Sequence, residues 1–545
     1  MFKRQFLLKD LLPLCVAYFS GVLMALAIAP VNAWWLAWFA LAPLWALVHQ
    51  SAWQANATKR SLETRLKPLG YAFVWGVGFH GSGLVWITGL HPLTWMGVPW
   101  LSSIAIALFC WLFITFWGSG LVILWAWLFQ KLSLSGMTIA DPSRASFKES
   151  WIAALRRVLL GVTLWCVIEW LCRQTPLYWT CLSLTQSPGN LAILHLGQLS
   201  GPVTITAAIA TVNGLLAEAW IAWRSQHAQT PRKSVIGFLF PLTLFLVFHG
   251  IGYGLYNQPL QQPENTALKV GIVQGNIPTR LKLSGLGVQR ALRNYILGYE
   301  TLASQGVDAV LTPEGALPIL WDKATNPFRQ AILENRVAAW LGIFVKENGR
   351  ITQSLLSISG SGEVVGRYNK IKLVPLGEYI PFQEVLGQII NRLSPIEANM
   401  LPGEPTQRFE TPFGKAIASI CYESAFPELF RAQAAEGGQF ILTASNLDPY
   451  SEVLMAQHQA HDLMRAIETS RWAVRATNTG YSGIIDPHGH IFWRSQPNTY
   501  QFHAETIYLR QNQTLYVKVG NWLVPLLVLF SAIAWIHQHR IYRSA

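Results

Sequence analysis

Long runs of uncharged, apolar side chains limit the fold of this chain more than any other feature. One run, "LFCWLFITFWGSGLVILWAWLF" (108–129), holds no charge at all. A bilayer core takes about 20 apolar residues per helix. On that measure the segments near 12–30, 33–50, 69–90, 99–130, 151–172, 192–222, 234–256 and 519–537 read as spans, eight in all. The fourth and sixth exceed the needed length, so they are expected to tilt or to run past the bilayer. The first follows Lys3 and Arg4 and has the look of a signal peptide, but a second apolar run comes almost at once, so it reads as an uncleaved anchor. Composition agrees: 52% of residues are hydrophobic, only 13% are charged, and there are 25 tryptophans. A soluble chain carries about 25% charged residues.

The net charge of +13 does not point to nucleic acid, because the basic residues sit between apolar runs. They alternate with neutral loops. Lys3, Arg4 and Lys9 precede the first span. Lys59, Arg60, Arg65 and Lys67 follow the second, and Arg144 and Lys148 follow the fourth, with Arg156 and Arg157 just beyond. Arg224, Arg232 and Lys233 follow the sixth, and Arg540 and Arg543 end the chain. Residues 91–98 contain no Lys or Arg, and 173–190 contain Arg173 alone. Basic loops stay in the cytoplasm. Both termini are therefore expected inside, and the long segment between the last two spans outside.

That segment, 265–515, is polar and differs in kind. "LKVGIVQGNI" (268–277), "VDAVLTPEG" (307–315) and "GKAIASICYE" (414–423) read as buried strands with polar ends. "SLLSISGSGEVVGRYNK" (354–370) reads as a hairpin turning at Gly360–Gly362. Residues 453–476 change from helical to strand spacing. Strands alternating with helices predict an α/β domain of about 250 residues.

Three strand ends in that domain carry reactive groups: Glu314 in "LTPEGALP", Lys370 and Glu378 in "RYNKIKLVPLGEYIP", and Cys421 in "ICYESAFPE". Sites of α/β sheets commonly form at strand ends. Of the six cysteines, only Cys421 lies in the polar part of the chain, and no CxxC pair suggests zinc or a disulfide framework. A thiol must lose its proton to attack. A carboxylate in an apolar pocket can take that proton, and Glu314 suits this role. A fixed cation such as Lys370 would stabilise the oxyanion that forms. Taken singly, each residue has a plain structural reading: a core thiol, a turn carboxylate, a solvated lysine.

The order of "PEG", "YNKIKLVPLGEYIP" and "CYE" resembles the nitrilase (carbon–nitrogen hydrolase) superfamily. The long lysine motif followed by "CYE" is similar to the membrane-embedded apolipoprotein N-acyltransferase branch. "VGIVQGNIP" (270–278), "WCVIEWL" (165–171), "PLYW" (176–179) and "SLTQS" (183–187) extend the likeness over essentially the whole chain. The resemblance implies a multi-span helical membrane domain (1–260), a nitrilase-like α-β-β-α sandwich on the outer, periplasmic face of a bacterial inner membrane (265–515) and a last transmembrane helix (519–537). It implies Glu314 as general base, Lys370 as oxyanion-stabilising lysine and Cys421 as nucleophile. It implies Glu378 as a second glutamate supporting the lysine, Tyr422 and Glu423 flanking the cysteine, and Trp179 near the membrane side of the site. Lys372 is the alternative to Lys370, disfavoured by its spacing to Glu378.

The implied reaction needs no cofactor or metal. It moves an acyl chain from a phospholipid, through a thioester on Cys421, to the N-terminal amine of a diacylated apolipoprotein. A membrane-anchored amidase acting on a small amide is the alternative reading. A transporter with an outer binding domain is a third, and the scarcity of intramembrane acids beyond Glu169 and Glu218 speaks against it.

Two departures stand out. Where many relatives carry an aromatic after "QGNIP", this chain has "TRLKL" (279–283). Where many carry Trp-Phe-Gly, it has "SNLDPYSE" (445–452). Two further patterns receive ordinary readings. "GVGFHG" (76–81) matches a dinucleotide fingerprint but lies in a membrane span, where small residues serve close helix packing. His458 and His461, three apart, read as a helix-surface pair and not as metal ligands.

Overall fold

The computed structural model describes all residues except 1, 58–61, 135–146, 227–230, 283, 348, 376, 380–399, 449 and 545. Lys59, Arg60 and Arg144 of the basic loops lie outside the described residues, as do Leu283 and Pro449 of the two departures. The described chain divides into two compact units. One comprises Met1–Val85, Leu108–Asn257 and Asn521–Ala545; the other comprises Trp86–Ala107 and Gln258–Gly520.

The first unit is helical. Among the described residues, four helical stretches are long and apolar enough to cross a membrane: Trp100–Ser133, whose first residues to Ala107 are counted with the second unit, and Trp151–Cys172, Pro202–Arg224 and Gly237–Tyr256. Helices also occupy Phe2–Leu26, Ala42–Ala57, Leu62–Gly76 and Leu523–Ser544. The sixth apolar segment is overlong for a local reason. Short helices at Leu191–Leu194 and Gly197–Ser200 precede Pro202–Gln226, and the break falls at Gly201, whose φ is 70°, followed by Pro202. Glycine tolerates this positive φ where the helix ends, and proline is suited to open the next.

Small residues bring these helices together. A Cβ on Gly78 would stand 2.4 Å from the Tyr18 carbonyl oxygen, and one on Gly76 would stand 2.6 Å from Ser119 Cα. The "GVGFHG" run is thus a packing seam. The two acids of the apolar helices serve internal bonds. Glu169 accepts from Trp165 Nε1, the Leu182 N–H and Thr206 Oγ1, while Glu218 pairs with Arg157 at 2.7 Å. Buried polar groups need such partners.

The second unit holds two sheets. Its strands run in chain order as β1 (Ala267–Gln274), β2 (Ala309–Leu311), β3 (Leu317–Leu320), β4 (Ala338–Glu347), β5 (Arg350–Ile358), β6 (Val364–Asn369), β7 (Phe409–Thr411), β8 (Gly414–Ile420), β9 (Ile441–Ser445), β10 (Ala473–Thr477), β11 (Gly483–Ile485), β12 (Ile491–Arg494) and β13 (Gln501–Tyr508). The first sheet has the order β13-β1-β2-β4-β5-β6, with β3 beside β4; the second is β12-β11-β10-β9-β8-β7. Strands β1, β2 and β4 are mutually parallel, and so are β8, β9 and β10.

Alternation within the strands builds the layers. Val270 and Ile272 of β1, Trp340 of β4 and Tyr368 of β6 meet Ala418 and Ile420 of β8, Leu442 of β9 and Val474 of β10 in one buried core between the sheets. On the other face of the first sheet, Val310, Ala339 and Leu341 pack on Tyr295, Tyr299 and Phe328 from the helices Gly285–Ser304 and Pro327–Asn335. Helices Pro427–Ala435 and Glu452–Thr469 cover the second sheet. The result is the expected α-β-β-α sandwich. The hairpin expected at Gly360–Gly362 is the β5–β6 turn, with Gly362 at φ 74°.

Candidate active site

The sandwich gathers its reactive groups at one set of strand ends. Strand β4 runs parallel to β2, β5 reverses, and β6 reverses again, so β2 and β6 end on the same edge. Glu314 follows β2 and Lys370 follows β6. In the second sheet, Cys421 follows β8, and Asn446 follows the parallel neighbour β9.

Lys370 is 1% exposed, and its Nζ donates to Glu314 Oε1 at 2.8 Å and to Glu378 Oε1 at 2.6 Å. Burial opposes the charge on this ammonium, yet the two carboxylates outweigh it and hold its pKa well above the usual value. Glu378 Oε2 accepts the Val374 N–H at 2.8 Å, which closes the turn after the lysine. Burial is the leading influence on Glu378 and raises its pKa, with Lys370 working the other way. Lys372 takes another course: its ammonium lies 4.9 Å over the Phe426 ring.

Glu314 Oε2 accepts the N–H of Asn446 at 2.9 Å, and the carbonyl of Asn446 lies 3.8 Å from Cys421 Sγ. One residue thus touches both the carboxylate and the thiol. Burial pushes the Cys421 thiol far above its ordinary range; Glu314 adds to this and Lys370 opposes it. The resting thiol is neutral and needs a base before it can attack. Cys421 also sits at φ 53°, a left-handed conformation costing a β-carbon residue of order 1–3 kcal/mol.

Glu423 secures that bend. It is fully buried, and its carboxylate collects four donors. Oε2 accepts from the Ile420 N–H at 2.7 Å and the Tyr368 hydroxyl at 3.0 Å; Oε1 accepts from the N–H groups of Ile371 at 2.5 Å and Lys372 at 3.1 Å. Glu423 therefore splices the end of the cysteine strand to the end of the lysine strand. Burial, partly offset by these donors, raises its pKa to about 7. Tyr422 is half-buried and stands edge-on to Phe426 at 5.1 Å.

The structure thus brings together Glu314, Lys370, Glu378, Cys421 and Glu423, with Tyr422 beside the cysteine. Trp179 belongs to the helical unit. It is buried there, next to Tyr178, whose hydroxyl accepts from Arg173 Nε at 3.2 Å.

The histidine pair is a correction. His458 and His461 are each 1% exposed and lie inside the fold, not on a helix surface. Nearly every residue of the helix Glu452–Thr469 is buried, so its polar side chains serve an interior network. His458 Nδ1 meets Arg475 Nη1 at 2.7 Å, and Arg475 also pairs with Asp462. The amphipathic spacing hid this, because a helix enclosed on all sides can bury paired charges.

Sequence reasoning also passed over Asn446 and Asn478. Asn478 Nδ2 donates to Asn446 Oδ1 and to the Ile277 carbonyl, and its Oδ1 accepts from the Ile277 N–H and the Tyr295 hydroxyl. Both asparagines follow apolar strands, the same signal that marked Cys421. Among the described residues, the one group able to offer a metal three close ligand atoms is Asp486, His488 and His490 in the β11–β12 turn. There Asp486 Oδ1 already accepts the N–H groups of His488 and His490, as a turn-forming aspartate does.

Comparison with known proteins gives two matches along the chain. The carbon-nitrogen hydrolase family covers residues 269–509, and the apolipoprotein N-acyltransferase N-terminal domain covers residues 20–215. Among curated relatives, the apolipoprotein N-acyltransferase of Nostoc sp. is 49% identical over 94% of this chain and 97% of its own. Those of Synechocystis sp. and Thermosynechococcus vestitus are 44% and 42% identical, each over 94% of this chain and over 98% and 93% of their own lengths.

Proposed function

This chain belongs to the apolipoprotein N-acyltransferase family, and from that footing we propose that it transfers an acyl chain from a phospholipid to the N-terminal amine of diacylated apolipoproteins in two half-reactions on Cys421. It is a membrane-associated acyltransferase, and lipoproteins are its substrates. The phospholipid donor, the residue roles and the sidedness are our reading. The observation that carries it is the set of contacts joining Lys370 to Glu314 directly and Glu314 to Cys421 through Asn446.

In the first half-reaction Glu314 takes the Cys421 proton. The thiolate attacks the ester carbonyl of the phospholipid, and Lys370 stabilises the oxyanion. The tetrahedral intermediate collapses, its C–O bond breaks, and Glu314 returns the proton to the departing lysophospholipid oxygen. In the second, the apolipoprotein amine attacks the thioester and gives a proton to Glu314. The C–S bond breaks, and the proton returns to the Cys421 thiolate. Glu378 holds Lys370 in place, and Glu423 holds the cysteine bend. Trp179, in the helical unit, is the residue we assign to handling the acyl chain on the membrane side. The eight apolar segments act as spans. The α/β domain lies on the periplasmic face of the inner membrane, as the alternation of basic loops supports.

Purified protein given phospholipid alone should acquire a hydroxylamine-sensitive acyl group on Cys421, seen by mass. Adding a diacylated lipopeptide should discharge it into an amide. Release as free fatty acid at one rate, with or without lipopeptide, would overturn the transferase reading in favour of a hydrolase.

A further inference from the structure

Lys282 is a second lysine at the site and has no part in the scheme above. It is 5% exposed, and its Nζ donates to the main-chain carbonyl of Glu314 at 3.4 Å. A buried ammonium with one long hydrogen bond is costly to hold, so its placement must be enforced. The enforcement is visible. Residues Thr279–Lys282 form a single helical turn, in which the Leu281 and Lys282 N–H groups both return to the Pro278 carbonyl at 2.9 and 3.0 Å. Ser284 caps the next helix, donating to the Leu281 carbonyl at 2.7 Å and accepting the Gly287 N–H at 3.2 Å. A Cβ on Gly287 would stand 1.7 Å from the Leu281 carbonyl oxygen, so this helix closes on the turn only because Gly287 has no side chain.

The same turn is fastened to the loop after β9. The Thr279 N–H donates to Asp448 Oδ2 at 2.6 Å, and Thr279 Oγ1 donates to the Asp448 carbonyl at 3.4 Å. That loop begins at Asn446, the residue touching both Glu314 and Cys421. The charged groups acting on Lys282 are Glu314, from the turn after β2, and Asp448, from the loop after β9. The Thr279–Lys282 turn and the loop after β9 fall in the two stretches where the chain lacks the expected aromatics, and here a polar clasp joins them.

We propose that Lys282 is a positioning residue for acyl transfer, holding the turn that carries Glu314 against the loop that carries Asn446 and Asp448. It acts through Glu314 and Asn446, and the proposal rests on the acyl-enzyme reading above. Burial pushes its pKa down to about 8, with Glu314 and Asp448 partly offsetting that effect. Its charge is therefore present below about pH 8 and lost above it, and the clasp weakens on the alkaline side.

The test is the rate of Cys421 acylation from phospholipid alone, a half-reaction with no titrating amine, followed from pH 6 to 10. Wild type should lose rate through about pH 8. Lys282→Met should lower the rate about tenfold or more, leave KM for phospholipid within about twofold, and lose that alkaline limb. Lys282→Arg should recover most of the rate and push the limb beyond the range measured, because a guanidinium stays charged. Asp448→Asn should move the limb to lower pH, because the carboxylate that favours the ammonium is gone. If Lys282→Met does not fold, the limbs of Lys282→Arg and Asp448→Asn decide. A wild-type rate in Lys282→Met, or an unmoved limb in Lys282→Arg, overturns the inference while wild-type acylation still upholds the parent reading. No acyl-enzyme in wild type overturns both.

Discussion

At the scale of residues, the site depends on charges held in place by other charges. Lys370 is neutralised by two carboxylates, and removing it leaves Glu314 and Glu378 buried without their cation. Cys421→Ala should abolish the mass-detected acyl-enzyme. Glu314→Gln and Lys370→Met should each slow its formation by a factor on the order of 10² or more, through loss of the base and of oxyanion stabilisation. Near-normal acylation in any of the three would remove that residue from its role. Glu423 carries a pH signature. Its folded pKa of about 7 stands above the ordinary value of 4.5, so the folded state keeps a proton that the unfolded chain gives up. That contribution to stability is complete below about pH 4.5 and is lost as pH rises through about 7. The melting temperature of the wild type should fall across this window, and Glu423→Gln, which does not titrate, should lack that part of the slope.

At the scale of elements, strand ends and the turns behind them set the geometry. Gly342 on β4 shows how tightly. Its N–H donates to Thr312 Oγ1 at 3.0 Å, and its carbonyl accepts the Ala316 N–H at 2.8 Å, so it grips the Glu314 turn from both sides. A Cβ there would stand 1.9 Å from the Pro313 carbonyl oxygen. Gly342→Ala should therefore destabilise the fold by about 1–3 kcal/mol and displace Glu314. Unfolding and acylation assays should both register it, and a variant with normal melting and normal rate would refute the grip. The enclosed helix Glu452–Thr469 depends on the Asp462–Arg475 pair. Breaking a buried pair from one side costs about 3–5 kcal/mol, so Arg475→Met should lower the melting point far more than a surface Arg→Met would.

At the scale of the molecule, the chain pairs a helical unit with an α/β unit. The segment Trp86–Ala107, read as the end of one apolar run, a neutral loop and the start of the next, clusters with the α/β unit. Trp86 Nε1 donates to Gln457 Oε1 at 3.1 Å, and the Trp86 ring stands edge-on to Tyr450 at 5.4 Å. The proposed sidedness rests on the alternation of basic loops. Reporters fused near residues 225 and 400 should give signals from opposite sides of the membrane, and matching signals would overturn the orientation and with it access to exported lipoproteins.

Apolar run length, alternating basic loops and strands ending in Glu314, Lys370 and Cys421 are local patterns. They suffice to predict a helical membrane part, an α/β domain and candidate reactive residues at its strand ends, because periodicity and charge act over a few residues; the α-β-β-α layering and the residue roles come from the family resemblance. Which partners each group meets is a matter of long-range packing. That Glu423 ties the cysteine strand to the lysine strand, that Asn446 touches both base and thiol, that His458 and His461 are buried, and that Lys282 reaches Glu314 all require residues 17 to 132 positions apart to converge. Only the pairing and stacking of the two sheets bring them within the 3 to 4 Å over which hydrogen bonds and buried charges act.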